Sequence, residues 1–445
     1  AVVPESCDEE FAVSLEKEAK KYLVSADIAY YLSDITELSV LFGSDYKTEM
    51  VKVENALNER KKLIINTGEF DDGLKIISIP ESSDGMNDGI SVKVERIPAR
   101  REKICTSCGR RNGRYEGPKK ADASDNEVCL SCLHKSLVGK NAKSDKYMRM
   151  YENYNGRKAD RSVRTLEDIK DRDGHIAVVY GDGNNMGGII QKFTDITQMM
   201  KFSRNVKDIA ARAVFESMGE NGIDRFEVVG LGGDDIFVIV PGNKAIKFSA
   251  SLIRKYNEKF IDYKKTTGNV STMSVGIAIA KYNTPVQVIL EEAEKQLADA
   301  KSEVKKYPEN KGSLSFRVLD NIDMSGEEEK SDISDTMLPY LTETAETIIK
   351  FAEKLKTKGA IGKTALRNLL DAFVNAESPL EANLFFEYYN ARLIENRKNE
   401  KVLLPQLEKY TLEGGYYTRS KTDETTGNEK CFIWKDLLNI IDFLE

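Results

Sequence analysis

The sequence predicts an α/β (α+β) protein whose central part is a sheet covered by helices, and three observations predict it. Short apolar runs at His175 to Tyr180, Arg225 to Leu231, Ile236 to Val240, Thr272 to Lys281 and Ser313 to Val318 read as strands. Longer stretches with helical spacing separate them, over Gly187 to Met218, Ala245 to Tyr263 and Val286 to Lys306. The two middle strands are joined only by Gly232, Gly233, Asp234 and Asp235, a hairpin signal. The order over 175–320 is strand, helices, hairpin, helix, strand, helix, strand. It matches an antiparallel sheet with helices packed on one face, the ferredoxin-like plan.

The flanking regions are less patterned. Residues 1–100 read as mixed α/β, with a helix from Glu9 to Leu23 and an apolar stretch from Ala26 to Phe42. Strands are expected at Lys61 to Asn66 and Lys75 to Pro80, joined by a turn at 68–73. Ser82 to Gly89 is a Gly/Asp/Asn loop. Residues 101–140 hold a cysteine cluster, and 141–174 a helix followed by a connecting loop. Residues 325–332 are a Ser/Gly/Glu-rich linker. A C-terminal helical domain occupies 333–445, with a hairpin around Tyr416 to Cys431 and a last helix from Trp434.

Composition narrows the function classes. A chain of 445 residues exceeds one compact core and implies several domains. Hydrophobic content of 40% and charged content of 31% describe a globular rather than a disordered chain. No apolar run is long enough to span a membrane and no signal segment is evident, so a cytoplasmic location is expected. The start at Ala1 leaves room for an upstream region. A net charge of −7 argues against wholesale coating of nucleic acid, though local basic patches remain available.

The candidate site is acidic. Asp182 follows an apolar strand, and Asp234 and Asp235 sit in the two-glycine turn. In the plan above, these strands lie side by side, so the three carboxylates project from one edge. Phosphoryl transfer needs a charge clamp on a triphosphate and on the attacking hydroxyl. Two hard cations about 3.5–4 Å apart supply it, and carboxylate oxygens hold them. Gly232 and Gly233 let backbone approach a ligand. Gly183 allows a similar approach and offers a carbonyl as a further magnesium ligand. Asn185 is placed to bond a ribose or phosphate oxygen. The amides of Met186, Gly187 and Gly188 open a helix and make an anion site. Lys301, late on its helix, reaches a triphosphate as a point charge. The competing reading is a plain Gly/Asp hairpin turn with a solvated lysine.

Four of the six cysteines are clustered. Cys105-x-x-Cys108 and Cys129-x-x-Cys132 are two knuckles separated by 20 residues, the spacing of a closed structural zinc site. Four thiolates leave no open position for water, so this metal is not expected to be catalytic. His134 is a bystander. Arg100, Arg101, Lys103, Arg110, Arg111 and Arg114 surround the first knuckle and are either RNA-backbone contacts or a solvated face.

These motifs resemble a known family. Tyr180-Gly-Asp-Gly-Asn-Asn-Met-Gly187, Gly230-Leu-Gly-Gly-Asp-Asp-Ile236, Ser274-Val-Gly-Ile-Ala278 and Ala300-Lys301 follow one another as in palm cyclases. Diguanylate cyclases share the scheme but usually end the turn Glu-Glu-Phe or Asp-Glu-Phe. The Asp-Asp ending resembles the large polymerase/cyclase subunit of type III CRISPR effector complexes. That family also places a four-cysteine module before its palm and a helical domain after it. The strong match spans about 100–320.

The resemblance implies a magnesium- or manganese-dependent, nucleotidyl cyclase-like palm. ATP would be joined 3′ to 5′ into cyclic oligoadenylates when an RNA-guided antiviral complex binds target RNA. It implies Asp182 and Asp234 as metal ligands, Asp235 completing the cluster, Gly232 and Gly233 flanking the nucleotide, and Lys301 on phosphate. It implies other complex subunits as partners, with guide and target RNA contacted indirectly. A second palm would come from a partner, a missing segment or a homodimer. Two departures stand out. Asn184 occupies the place of a second aspartate. With only two histidines, the His-Asp nuclease domain that many members carry is not expected. Two other readings stay open: a stand-alone cyclic dinucleotide synthase, and a silent palm scaffold that binds nucleotide and partner subunits.

Overall fold

A computed structural model describes residues 14, 46–63, 76–79, 90–93, 104–109, 111–117, 127–138, 144–267, 270–307, 311–319, 338–358, 367–368, 384, 388, 418–423 and 427–444. The chain divides into two compact units, residues 1–150 with 190–202, and residues 151–189 with 203–445. Among the described residues, no helix is long and apolar enough to cross a membrane.

The first unit contains α1 (Tyr46–Leu63), a hairpin of β1 (Ile76–Ile79) and β2 (Ile90–Lys93), and a small module of β3 (Tyr115–Glu116), β4 (Glu127–Val128) and α2 (Leu130–Val138). Of the strand expected at Lys61 to Asn66, residues 64–66 lie outside the described residues and the rest is helical. Lys61 to Leu63 close α1, because the preceding Ala-Leu-Asn-Glu-Arg-Lys-Lys run is made largely of good helix formers. The strand expected at Lys75 to Pro80 is β1, and it pairs antiparallel with β2. The expected loop at 82–89 and the expected turn at 68–73 lie outside the described residues. The helix expected at Glu9 to Leu23 and the stretch at Ala26 to Phe42 lie outside the described residues, apart from a helical Ser14.

The second unit is built around one sheet. In chain order, α3 (Ser144–Asn155), whose residues 144–150 belong to the first unit, and α4 (Leu166–Ile169) precede β5 (His175–Gly183), followed by α5 (Met186–Ile190) and α6 (Ile196–Glu220), of which 190 and 196–202 also belong to the first unit. The hairpin β6 (Glu227–Gly232) and β7 (Asp235–Pro241) follows, then α7 (Gly242–Thr267), β8 (Met273–Lys281), α8 (Val286–Val304) and β9 (Ser313–Leu319). Tyr340–Leu341 forms β10, which pairs antiparallel with β9, and α9 (Thr342–Lys358) continues from it. The C-terminal hairpin, β11 (Thr418–Asp423) with β12 (Gly427–Phe432), and α10 (Ile433–Asp442) fall where the sequence places them. The linker at 325–332 and most of 359–417 lie outside the described residues.

The strand order is β10-β9-β8-β5-β7-β6. As expected, β5 lies beside β7 of the hairpin, and both neighbours of β5 run antiparallel to it. Two features of the expected plan are corrected. The sheet is mixed, because β8 and β9 are parallel. The α8 crossover returns the chain to the same end of the sheet, so the next strand must run the same way. Helices also cover both faces. Ile176 and Val178 of β5 share a core with Ile289 and Ala293 of α8. The alternate residue Gly183 faces Tyr256 of α7. Ile176, Ala177, Val178 and Val179 are all fully buried, as a strand sandwiched on two sides requires. Burying each Val or Ile side chain contributes about 1.5–3 kcal/mol.

Candidate functional site: a carboxylate cluster at the edge of the palm sheet

Backbone register brings the acidic residues together. β5 extends beyond Tyr180 to Gly183, so Asp182 is a strand residue rather than the start of a loop. Gly181 pairs with Ile236, which sets Asp182 opposite Asp235 on the neighbouring strand, with both side chains on the α8 face. The hairpin closes over Gly233 and Asp234, between the paired Gly232 and Asp235. Gly233 has φ +66, the left-handed conformation that a two-residue turn asks of its first position. A Cβ at Gly232 or Gly233 would meet nothing within 4 Å, so there is open space beside the turn.

Gly183 is crowded. A Cβ there would lie 2.9 Å from Asp234 Cβ, 2.8 Å from Met186 Cε and 3.0 Å from Tyr256 Oη. Only glycine lets Asp234 approach β5 this closely. Asp234 then lies close enough to Asp182 for the two carboxyls to influence each other's charge. Burial pushes the Asp234 carboxyl up to about 6, helped by the negative charges of Asp182 and Asp235. Asp235 is also raised, by burial and by Asp182, with Lys301 opposing. Lys301 forms an ion pair with Asp182 Oδ2. Two carboxyls that resist ionising, beside a third that pairs with an ammonium, suit a site for divalent metal. They are not drawn onto a single point. Among the described residues, the group of three or more such side chains with every donor atom within 4.8 Å is the cysteine cluster.

Residues 175–308 match the second palm domain of Cas10/Cmr2. The motif resemblance to the large subunit of type III CRISPR effectors thus holds over this segment. Among solved structures, Csm1 in T. onnurineus is similar at 16% identity with a TM-score of 0.41, over 63% of this chain and 40% of that one. A Csm1-Csm4 cassette in complex with pppApApA gives 17%, 0.42, 63% and 39%. The cassette in complex with one ATP gives 16%, 0.39, 64% and 38%. The chain spans about two fifths of the length of these Csm1 chains. No curated protein matches it.

Within the Cas10/Cmr2-like palm, the remaining expected residues divide. Met186 packs against Gly183, and Gly187 has open space around it. Asn185 takes φ +61, and its carboxamide folds back so that a Cβ at Gly188 would lie 2.3 Å from Oδ1. It leans on the first turn of α5, which is only five residues long. Asn184 is a buried structural residue. Its Nδ2 donates to Thr272 Oγ1 at 3.0 Å and to the Lys311 carbonyl at 3.3 Å, and its Oδ1 accepts from Ser274 Oγ at 2.9 Å. Ser274 Oγ lies 3.0 Å from Ser313 Oγ, which donates to the Ala300 carbonyl. A buried polar chain therefore ties the end of β5 to the last turn of α8, beside Lys301.

Sequence reasoning missed this chain and Tyr256. Serines in the apolar strand Met273–Lys281 and in Ser313–Leu319 were the available signal, since a buried hydroxyl needs a partner. Tyr256 carried none, because its spacing is that of an ordinary core residue. It is fully buried on α7, and its hydroxyl has no bonded partner. Burial and then Asp234 and Asp182 push the phenol well above the usual tyrosine range.

The cysteines form the second candidate centre. The Sγ atoms of Cys105, Cys108, Cys129 and Cys132 all lie within 4.8 Å of one another. Cys108 and Cys129 are 4.0 Å apart. A tetrahedral zinc with Zn–S of about 2.3 Å sets sulfurs roughly 3.8 Å apart, so the set fits. The first knuckle turns at Gly109, whose amide donates to the Cys105 carbonyl and whose φ is +63. The second opens α2, and Tyr115, Val128, Leu130 and Leu133 pack around it. Burial raises the thiols of Cys129 and Cys132, which a bound cation would reverse. Arg111 is committed to Ser131 at 2.7 Å. Arg100, Arg101, Lys103 and Arg110 lie outside the described residues.

Proposed function

We propose that this palm joins ATP 3′ to 5′ into cyclic oligoadenylates as the large subunit of a type III CRISPR RNA-guided antiviral complex. The observation that carries the reading is the convergence of Asp182, Asp234 and Asp235 at one edge of the sheet, with Lys301 on the same face. The family-model match over 175–308 supports it.

Asp182 and Asp234 hold magnesium or manganese, and Asp235 completes the set. Bound there, divalent cations neutralise charge on the triphosphate and favour ionisation of the attacking hydroxyl. The chain supplies position rather than a nucleophile. Gly232 and Gly233 leave room for the nucleotide, and Lys301 takes phosphate charge. The 3′ oxygen of one ATP bonds to the α-phosphorus of the next, the α–β bridge breaks, and pyrophosphate leaves with its electron pair. The second nucleotide comes from another palm, in a partner chain, in a segment beyond this one, or in a second copy. The four cysteines hold zinc as a structural element.

The test is incubation with labelled ATP or GTP and Mg2+, with and without target RNA, followed by separation of the products. Cyclic adenylates and pyrophosphate are expected from ATP, and Asp234→Ala with Asp235→Ala abolishes them. A cyclic dinucleotide formed without RNA supports a stand-alone synthase instead. If the double variant leaves every activity of the complex unchanged, the palm is a scaffold.

A further inference from the structure

The Lys301–Asp182 ion pair has a role beyond phosphate binding. We propose that Lys301 is a resident counter-cation that competes with divalent metal for Asp182, and that the triphosphate draws it away. Metal and nucleotide then bind in mutual dependence. This rests on the two-cation reading of the carboxylates.

Four observations carry it. The Lys301 ammonium sits on Asp182 Oδ2, an oxygen that a metal would use. Asp182 and Asp235 lie opposite each other on the face that α8 covers, so the ammonium faces the carboxylates of both strands. The backbone beneath Lys301 is fixed. A Cβ at Gly276 would fall 2.2 Å from the Ala293 carbonyl oxygen and the Leu297 amide, so α8 lies directly on the sheet. Ser313 Oγ also donates to the Ala300 carbonyl at 2.7 Å. What remains free to move is the side chain, which is partly exposed and has a long flexible stem.

The physics follows from charge. An ammonium and a dication cannot share one carboxylate oxygen without strong repulsion. In the absence of nucleotide, metal must displace Lys301 into water. With nucleotide, the ammonium moves to the phosphates and frees Asp182 for the metal. Linkage requires that each ligand strengthen the other by the same factor.

The experiment titrates the full chain with Mn2+, followed by electron paramagnetic resonance, with and without unreactive α,β-methylene-ATP. For the unsubstituted chain, nucleotide tightens Mn2+ binding about tenfold or more. Lys301→Met binds Mn2+ alone about tenfold more tightly than the unsubstituted chain, and loses most of the nucleotide effect. Lys301→Arg keeps weak binding of metal alone. Lys305→Met, one helical turn on, behaves like the unsubstituted chain. Circular dichroism confirms that each variant is folded. If Lys301→Met binds Mn2+ alone no more tightly than the unsubstituted chain, the competition is refuted while the carboxylate site stands. If the unsubstituted chain binds no Mn2+ under either condition, the two-cation reading fails and takes the proposal with it.

Discussion

Asp234 is the most perturbed acid of the cluster, and its proton has a measurable consequence. Its carboxyl is raised to about 6 in the folded chain, against an ordinary aspartate near 3.8. The native state therefore holds this proton more tightly than the unfolded state does. Its stabilising effect is complete below the ordinary value and is lost as pH rises through about 6. Thermal melting without divalent metal should show stability falling across that window, and Asp234→Asn should flatten that part of the profile. Millimolar Mg2+ should do the same, since it favours the ionised form. A profile unchanged by Asp234→Asn would place the titration elsewhere.

At the scale of elements, α8 is the critical piece. It carries Lys301, makes β9 parallel to β8, and covers the face that bears Asp182. Its close seat depends on Gly276, because a methyl there would collide with helix backbone, which cannot rotate aside. Gly276→Ala is expected to cost about 1–3 kcal/mol or more in denaturant unfolding, and to weaken nucleotide binding by lifting Lys301. Ser274→Ala tests the neighbouring polar chain more gently. The sequence made much of this legible. The alternation of apolar runs and helical stretches located nearly every element from 175 to 319, and the Asp182 and Gly-Gly-Asp-Asp signals pointed to carboxylates that the fold brings together at one sheet edge. Which face α8 takes was not legible, since a run such as Val178 to Tyr180 looks the same whether one or two helices cover it. The error over Lys61 to Leu63 has a similar origin. Leu63, Ile64 and Ile65 are apolar enough for a strand, but the helix formers before them decide the conformation of Leu63.

For the whole molecule, two donor chemistries are kept on separate sets of side chains. Soft thiolates gather at Cys105, Cys108, Cys129 and Cys132, and hard carboxylates at the palm edge. Purified chain should contain about one zinc ion per molecule, measured by plasma mass spectrometry. Cys105→Ala with Cys108→Ala should remove it, and Asp182→Ala should leave it in place. Zinc retained by the cysteine variant would overturn the assignment.

Asn184 gives the polar chain a practical consequence for any attempt to add a further carboxylate to the cluster. Its amide protons are already spent on Thr272 and on the Lys311 carbonyl. Aspartate has no such protons, so a negative charge would confront a carbonyl oxygen in a closed interior. Engineering an extra carboxylate at this position would loosen the joint between strand and helix before it ever met an ion.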